Sequence, residues 1–229
     1  MTDVTGLELV GTGRTADVYA FGGGQVLRRY RDGGSAATEA AVMTHVRAHG
    51  FPAPAVHAAT GPDLVLDRLT GPTLLQAVLG GELTAADAAV VLAGLHRRLH
   101  AVPPSGHARP AGSAADTVVH LDLHPDNVVL TPDGPALIDW RNATDGPADL
   151  DVVFSALILA QVAVSDEAGL APFAAASIGP FLSAAGGAPL HHLDAAKARR
   201  GADPQLTPAE RERLAAAAAL VAEESRRGS

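Results

Sequence analysis

The sequence predicts an α+β protein with a small β-rich lobe followed by a larger, mainly helical lobe that carries one inserted hairpin. Residues 7–30 alternate short apolar runs with glycine-rich breaks, which is typical of antiparallel strands joined by turns. Residues 85–102 repeat apolar side chains at helical spacing. Residues 127–140 read NVVLTPDGPALIDW, a hairpin pattern around a Pro-Asp-Gly turn.

The first lobe is predicted to end near residue 68. After the three strands of residues 7–30, Ser35 is expected to cap a helix that Gly50 terminates. A further strand is predicted over residues 64–69, LVLDRL. We therefore place a first lobe at residues 1–68 and a second lobe at residues 69–229.

The second lobe is predicted to be built from helices. Thr84 is positioned as the cap of the helix over residues 85–102, and residues 151–164, with the apolar run 152–164, predict a buried helix that begins at Asp151. A further helix is expected over residues 174–185. Residues 207–210, Thr-Pro-Ala-Glu, form a capping box that opens a long alanine-rich helix.

Composition excludes several classes of protein. The 229 residues are 47% hydrophobic and contain no cysteine, which removes disulfides and thiolate metal sites. The net charge of −8 argues against a nucleic acid partner. The first ten residues lack a signal-peptide pattern, and the longest apolar run is too short to span a bilayer. We expect a cytoplasmic protein with no membrane partner.

The stretch VVHLDLHPDNVVL, residues 118–130, concentrates polar chemistry between apolar runs. Asp122 and Asn127 lie five residues apart across a proline, which suits a tight loop. The following hairpin is expected to return Asp139 to that loop, where Asn127 and Asp139 together offer oxygen ligands for one hard cation. Asp122 would then face a substrate hydroxyl. The alternative is that these residues only form turns at strand ends.

Glycine supplies the second part of the pattern. In GTGRTADVYA, Gly11 and Gly13 leave room for the backbone to approach a phosphate, although most such pairs belong to ordinary hairpin turns. The pair gains weight because it precedes the Asp-x-x-x-x-Asn spacing by about a hundred residues.

These motifs, in this order, resemble the protein-kinase-like fold, and HLDLHPDN with LIDW is most similar to the aminoglycoside and choline kinase type of small-molecule phosphotransferase. By that resemblance Asp122 is the base that orients the acceptor hydroxyl, and Asn127 and Asp139 hold Mg²⁺. His120 is implied to brace the loop by hydrogen bonds, and Asp151 to steady it from the next helix. His124 receives no assigned role.

The resemblance also implies that residues 1–68 form a nucleotide-binding lobe with a site for ATP or GTP, and that residues 69–229 form the catalytic and substrate lobe. Gly11 and Gly13 match the glycine-rich loop, with Ala16 at the usual third glycine, and Glu39 matches the ion-pair partner of the third-strand lysine. Val26 would cover the base, and Asp67 with Leu69 would lie in the hinge that binds it. One position departs from the pattern: Arg28 stands where the family has lysine, and the single lysine is Lys197. Arginine is a planar fork, so this exchange is not neutral.

The leading hypothesis is a Mg²⁺-dependent kinase that phosphorylates a hydroxyl of a small molecule. Two alternatives remain: a kinase-like nucleotide-binding protein with weak or no catalysis, and a facial metal site formed by His120, Asp122 and His124. Residues 168–229 hold six acidic and seven basic side chains, so a polycationic aminoglycoside is not indicated as acceptor. An anionic acceptor could meet four basic residues, His191, His192, Arg199 and Arg200, although such residues more often form a solvated helix face.

Overall fold

A computed structural model describes residues 2–107, 116–166 and 169–227. The N-terminal part is one antiparallel sheet in the order β1-β2-β3-β5-β4. Its strands are β1 Leu9–Thr12, β2 Ala16–Gly22, β3 Gln25–Tyr30, β4 Val56–Thr60 and β5 Asp63–Asp67. The three strands expected over residues 7–30 are present in the expected antiparallel order.

Helix α1, Ala37–Ala48, connects the edge of this sheet to the rest of the molecule. Val42, Met43 and Val46 form its buried face, and Gly50 ends it in the left-handed region at φ +77°. The prediction of Ser35 as N-cap was wrong by one residue, because Ala36 occupies the cap position. The Ser35 hydroxyl oxygen still accepts the Ala37 N–H at 3.2 Å, so it supports the first turn from one position earlier.

Helices dominate the chain after the first sheet. Their bounds are α2 Leu74–Leu79, α3 Ala85–His100, α4 Ala148–Ala163, α5 Ala171–Ala185, α6 Leu193–Gly201 and α7 Pro208–Arg227. Thr84 caps α3 through a reciprocal capping box, and Thr207 and Glu210 exchange the two expected hydrogen bonds at the start of α7. The predicted β-rich lobe followed by a helical lobe is confirmed.

Helix α4 lies at the centre of the helical part. Eleven of its residues are buried, and α5, α6 and α7 all pack against it. Such a helix is apolar on every side because neighbours cover every side. It starts three residues before the predicted Asp151, and this places Asp151 in its buried first turn.

Two short strand pairs flank the polar loop of residues 120–127 and Asp139. Strand β6, Thr117–Val119, pairs with β9, Thr144–Gly146, and the hairpin consists of β7, Val128–Thr131, and β8, Gly134–Leu137. Val118, Val119 and Val128 are fully buried, so the apolar flanks of the motif anchor it in the core.

The crossing from β5 to α2 passes very close to the hairpin. At Gly71, with φ +137°, an added Cβ would lie 2.0 Å from the carbonyl oxygen of Leu130. The Leu130 N–H donates to the carbonyl of Pro72 at 2.9 Å, and Thr73 forms an isolated bridge with Val129. A lobe boundary at residues 68 and 69 stays a prediction.

Within the described ranges, no single helix has both the length and the apolar composition needed to cross a membrane. One pair of helical segments passes such a test only together, Ala171–Ala185 with Pro189–Gly201, and the pair is bent by 110°.

Candidate active site

The loop that follows β6 is held by a buried carboxylate. Leu121 adopts a left-handed conformation at φ 59°, which is costly for a leucine and needs support from its surroundings. Asp151 supplies that support: its Oδ1 accepts the N–H of Leu121 at 2.7 Å, and its Oδ2 accepts the N–H of His120 at 3.1 Å. The predicted steadying contact between Asp151 and the loop is thus present in the geometry.

Two histidines of α3 complete the surroundings of Asp151. His100 Nε2 lies 3.0 Å and His96 Nδ1 lies 3.3 Å from Asp151 Oδ2, and His96 Nε2 lies 2.9 Å from the hydroxyl of Ser155. These contacts hold the pKa of Asp151 well below its ordinary value although burial alone would raise it. The carboxylate therefore stays charged and keeps both amide hydrogen bonds.

His120 supports the loop by packing and not, as the resemblance implied, by hydrogen bonds of its ring. Its imidazole is fully buried and packs edge-on against Trp140, with ring centroids 4.9 Å apart. Neither ring nitrogen has a hydrogen-bond partner among the described residues. Burial lowers the pKa of His120, so the ring stays neutral and acts as an aromatic packing element.

The hairpin brings Asn127 and Asp139 to the same place. The N–H of Ile138 donates to the carbonyl of Asn127 at 2.9 Å, which closes the hairpin next to both residues. The amide nitrogen of Asn127 donates to the carbonyl of Asp122 at 2.9 Å, so its side-chain oxygen remains available. Asp139 is in the left-handed region at φ 61°, and its side chain is 38% exposed.

Arg28 connects the sheet to this hairpin. One guanidinium nitrogen donates to Glu39 and the other to Asp139, and Glu39 also accepts the backbone N–H of Trp140 at 3.0 Å. The ion pair between the third strand and α1 that the resemblance implied is therefore formed with arginine. The planar fork does more than an ammonium group can, because it binds both carboxylates at once.

The charges in this cluster interact strongly because they are buried. Burial raises the pKa of Glu39 to about 7, and the charge of Asp139 adds to that rise against the attraction of Arg28. Asp139 and Glu39 together raise the pKa of Arg28 in spite of its burial, so the guanidinium remains charged.

The glycine-rich turn between β1 and β2 is fixed by its own backbone and by Arg31. The N–H of Gly13 donates to the carbonyl of Ala16 at 2.9 Å, and Arg31 donates to the carbonyl of Gly13 at 2.5 Å. Added Cβ atoms at Gly11 and Gly13 would meet ordinary contacts at 3.7 and 3.6 Å. Without a bound ligand, the turn therefore has room for a side chain at both positions. That a phosphate approaches the backbone closely here stays a prediction.

The predicted base-binding segment lies at the end of β5. The carboxylate of Asp67 accepts the N–H of Ala55 at 3.0 Å and lies 2.7 Å from His57 Nε2, so this side chain joins β4 to β5. The N–H of Arg68 donates to the carbonyl of Gly24 at 2.8 Å. The roles proposed for Val26, Asp67 and Leu69 toward a base stay predictions.

A cavity of about 770 Å³ opens between the glycine-rich turn and the helical part. Four predicted site residues line it: Gly13, Asp122, Asn127 and Asp139. His124 lines it as well. Eight others do not line it: Gly11, Val26, Arg28, Glu39, Asp67, Leu69 and the two residues predicted as structural support, His120 and Asp151.

Several lining residues were not predicted as part of a site. Arg14, at the tip of the glycine-rich turn, forms an ion pair of 2.6 Å with Glu210 at the start of α7 and lowers the pKa of Glu210 to about 2. Arg213 of α7 and Gln161 of α4 line the cavity as well, together with Arg200 of α6, which the sequence indicated only as one of four possible contacts for an anionic acceptor. The capping box marked Glu210 in the sequence, but no local pattern indicated that α6 and α7 fold back over the loop.

Comparison with solved structures identifies the fold. The amicoumacin kinase hAmiN, in complex with AMP-PNP, Ca²⁺ and Ami, superposes with a TM-score of 0.62 at 11% identity over 97% of this chain and 90% of that chain. A choline/ethanolamine kinase family protein from Mesorhizobium loti gives 0.59 at 14% identity over 96% and 90%. The gentamicin complex of APH(2″)-IIa gives 0.57 at 12% identity over 93% and 90%. The kinase-like fold is thereby confirmed.

Sequence comparison gives shorter but closer matches. Thiamine kinases of Salmonella paratyphi B (strain ATCC BAA-1250 / SPB7) and Salmonella newport (strain SL254) are each 45% identical over 71 residues. That segment covers 31% of this chain and 22% of each thiamine kinase, so the chain matches about a fifth of the length of these curated relatives.

The family model described as the phosphotransferase enzyme family matches residues 6–116 and 92–184, which together span most of the chain. This range contains the glycine-rich turn, the Arg28–Glu39 pair, the loop with Asp122, the hairpin and Asp151. The chain therefore belongs to the phosphotransferase enzyme family.

Proposed function

We propose that the protein is a Mg²⁺-dependent kinase that moves the terminal phosphate of ATP, or alternatively GTP, to a hydroxyl of a small molecule. The observation that carries this proposal is the convergence of Asp122, Asn127 and Asp139 on one cavity beneath Gly13. Phosphoryl transfer depends mainly on positioning and on charge stabilisation, and this cavity offers groups for both.

Asp122 is the proposed base. The acceptor hydroxyl oxygen forms a bond to the terminal phosphorus, and the bond between that phosphorus and the bridging oxygen breaks, which releases the nucleoside diphosphate. The hydroxyl proton passes to the Asp122 carboxylate and then to solvent. The loop around Asp122 is fixed from behind by Asp151, so its carboxylate is preorganised for this task.

The donor atoms fit a hard divalent cation. The side-chain oxygen of Asn127 is available because its amide nitrogen is bound to the Asp122 carbonyl, and Asp139 adds a carboxylate that lines the same cavity. Oxygen ligands of this kind suit Mg²⁺, which neutralises charge on the transferred phosphate when bound. Arg28 already contacts Asp139, so it limits the orientation of that carboxylate.

The nucleotide is proposed to lie under Gly11 and Gly13, with its base between Val26 and the segment that contains Asp67 and Leu69. Arg28 would position the phosphates together with Glu39. AMP-PNP in the amicoumacin kinase complex supports ATP as the donor. The proposed location is the cytoplasm, where nucleoside triphosphates are plentiful.

The test is detection of a phosphorylated product by ³¹P NMR and mass spectrometry with a broad panel of hydroxyl compounds. Asp122→Asn is expected to lower kcat by about 100-fold or more while the Kd for nucleotide stays within about threefold. Asp133→Asn, in the exposed hairpin turn, is the matched control and should leave kcat unchanged. Equal turnover by wild type and Asp122→Asn would contradict the assignment.

A second candidate function is a nucleotide-binding protein without transfer. The contact between Arg28 and Asp139 favours it, because an arginine bound to the proposed metal ligand competes with the metal. In that case nucleotide binding would be independent of Mg²⁺, and no panel member would be phosphorylated.

A further inference from the structure

The side of the cavity formed by α4, α6 and α7 carries a buried arginine. The side chain of Arg200, near the end of α6, is only 13% exposed. Its Nε donates to the side-chain oxygen of Gln161 at 2.9 Å, and its NH1 lies 3.5 Å from Asp203. The ion pair between Arg200 and Asp203 is therefore a long one. Part of the guanidinium group is left facing the cavity.

The charge of Arg200 is incompletely balanced. Burial lowers its pKa, and the attraction of Asp122 and Asp203 does not compensate. Arg28 is also buried, but two carboxylates in direct contact raise its pKa. A buried cation without a full counter-charge costs folding free energy. A bound anion would supply the missing charge.

Arg213 adds a second cation to the same wall. It lies one turn after Glu210 on α7, lines the cavity and is partly buried. It makes no hydrogen bond or ion pair with the parts of the chain that the structure describes. Arg14, which also lines the cavity, is instead engaged with Glu210.

Apolar side chains lie in the same lining. Ile158, Val162 and Phe173 contribute them, while Asp203 and Glu210 add carboxylates, of which Glu210 is paired with Arg14. An acceptor with an apolar body and one anionic group would match these apolar side chains together with Arg200 and Arg213.

We propose that the acceptor carries an anionic group, a carboxylate or a phosphate, that Arg200 and Arg213 bind while its hydroxyl lies at Asp122. The proposal rests on the proposed kinase function and specifies the substrate class of that site. Arg200, Arg213 and Asp122 line the same cavity, so an acceptor bound by the two arginines would lie in the space that Asp122 faces.

The experiment uses hydroxyl compounds in matched pairs. Each hydroxy acid, for example 4-(hydroxymethyl)benzoate, is paired with its methyl ester, and each hydroxyalkyl phosphate with the corresponding diol. Kanamycin and thiamine serve as cationic members. Phosphate transfer from Mg·ATP and the Kd for Mg·ATP are measured together. The anionic members are expected to show kcat/KM at least about tenfold above their neutral partners.

Variants distinguish an acceptor site from a nucleotide site. Arg200→Gln and Arg213→Gln are expected to raise KM for the anionic acceptor by about 10- to 100-fold while the Kd for Mg·ATP stays unchanged. Arg200→Lys retains the charge and should recover part of the loss, which checks that folding is intact. Arg226→Gln, on α7 but exposed and outside the cavity lining, is the control and should behave as wild type.

The outcomes separate the two proposals. Tight Mg·ATP binding with no preference for anionic members, or with no transfer to any of them, overturns the anionic acceptor and leaves the kinase site in place. A loss of Mg·ATP affinity in Arg200→Gln equal to the loss for the acceptor assigns the arginine to the nucleotide and also overturns it. Failure to bind Mg·ATP at all refutes the proposed function.

Discussion

At the level of single residues, Arg28 occupies the position where the resemblance to kinase-like proteins implies a lysine. An arginine on the third strand contacts both Glu39 on α1 and Asp139 beside the hairpin. A lysine has one compact ammonium group and cannot span two carboxylates in the same way. The exchange therefore ties the sheet, α1 and the proposed metal ligand into one charged cluster.

Removal of one partner from this cluster should be costly. Arg28→Ala is expected to lower the free energy of unfolding by about 3–5 kcal/mol, because Glu39 remains buried without its cation. The double variant Arg28→Ala/Glu39→Ala should cost less than the sum of the single variants. Chemical denaturation measures both. Arg227→Ala, which breaks only exposed ion pairs, should cost no more than about 1 kcal/mol, and additive losses would contradict the coupling.

Glu39 should also make stability depend on pH. Its pKa is raised from 4.5 in the unfolded chain to about 7 in the fold, so between these values the folded protein binds the extra proton. The free energy of unfolding should therefore fall as pH rises from 4.5 to 7, by up to about 3 kcal/mol from this group. Glu39→Gln should lack that contribution. Identical pH profiles for the two proteins would show that Glu39 ionises normally.

At the level of elements, the loop that carries the proposed base Asp122 depends on the first turn of α4. Asp151→Asn is expected to lower the free energy of unfolding by about 3 kcal/mol, because a neutral amide cannot serve the His120 and Leu121 N–H groups and both histidines. Amide hydrogen exchange at Leu121 should accelerate as well. Asp149→Asn, on the same turn and accepting one exposed N–H, should have a small effect. Unchanged exchange at Leu121 would show that Asp151 does not hold the loop.

The close crossing of Gly71 over the hairpin gives a second test. Gly71→Ala combines an unfavourable φ with a clash against the Leu130 carbonyl, and it should lower the free energy of unfolding by about 3 kcal/mol. Gly94→Ala in α3, where an added Cβ meets open space, should raise it by roughly 0.5–1 kcal/mol. Thermal and denaturant unfolding compare the pair, and equal effects would exclude a special role for Gly71.

Strand and helix patterns predicted most elements of this fold. The glycine breaks, the Pro-Asp-Gly turn and the capping boxes at Thr84 and Thr207 are local signals, and each appears where the sequence placed it. Two contacts were not predicted: the bond of Arg28 to Asp139 in addition to Glu39, and the packing of the His120 ring against Trp140. Asp139 is more than a hundred positions from Arg28, and Trp140 is about twenty positions from His120. Local periodicity has no access to such contacts.

At the level of the whole molecule, the site is a junction between distant parts of the chain. The glycine-rich turn, the loop after β6, the hairpin and the start of α7 all reach one cavity. Arg14 and Glu210 join the first and last of these across nearly 200 positions. The order of motifs indicated Asp122, Asn127 and Asp139 together, whereas the position of Arg200 and Arg213 in the lining of the same cavity follows only from tertiary packing.

Calorimetric titration of ATP with and without Mg²⁺, on wild type and Asp139→Asn, tests the central claim most directly. Asp139 is proposed as a metal ligand, so we predict binding that requires Mg²⁺ in the wild type and is at least about tenfold weaker in Asp139→Asn. Binding that is the same with and without Mg²⁺ and in both proteins would contradict the account and indicate a nucleotide-binding protein that does not transfer phosphate.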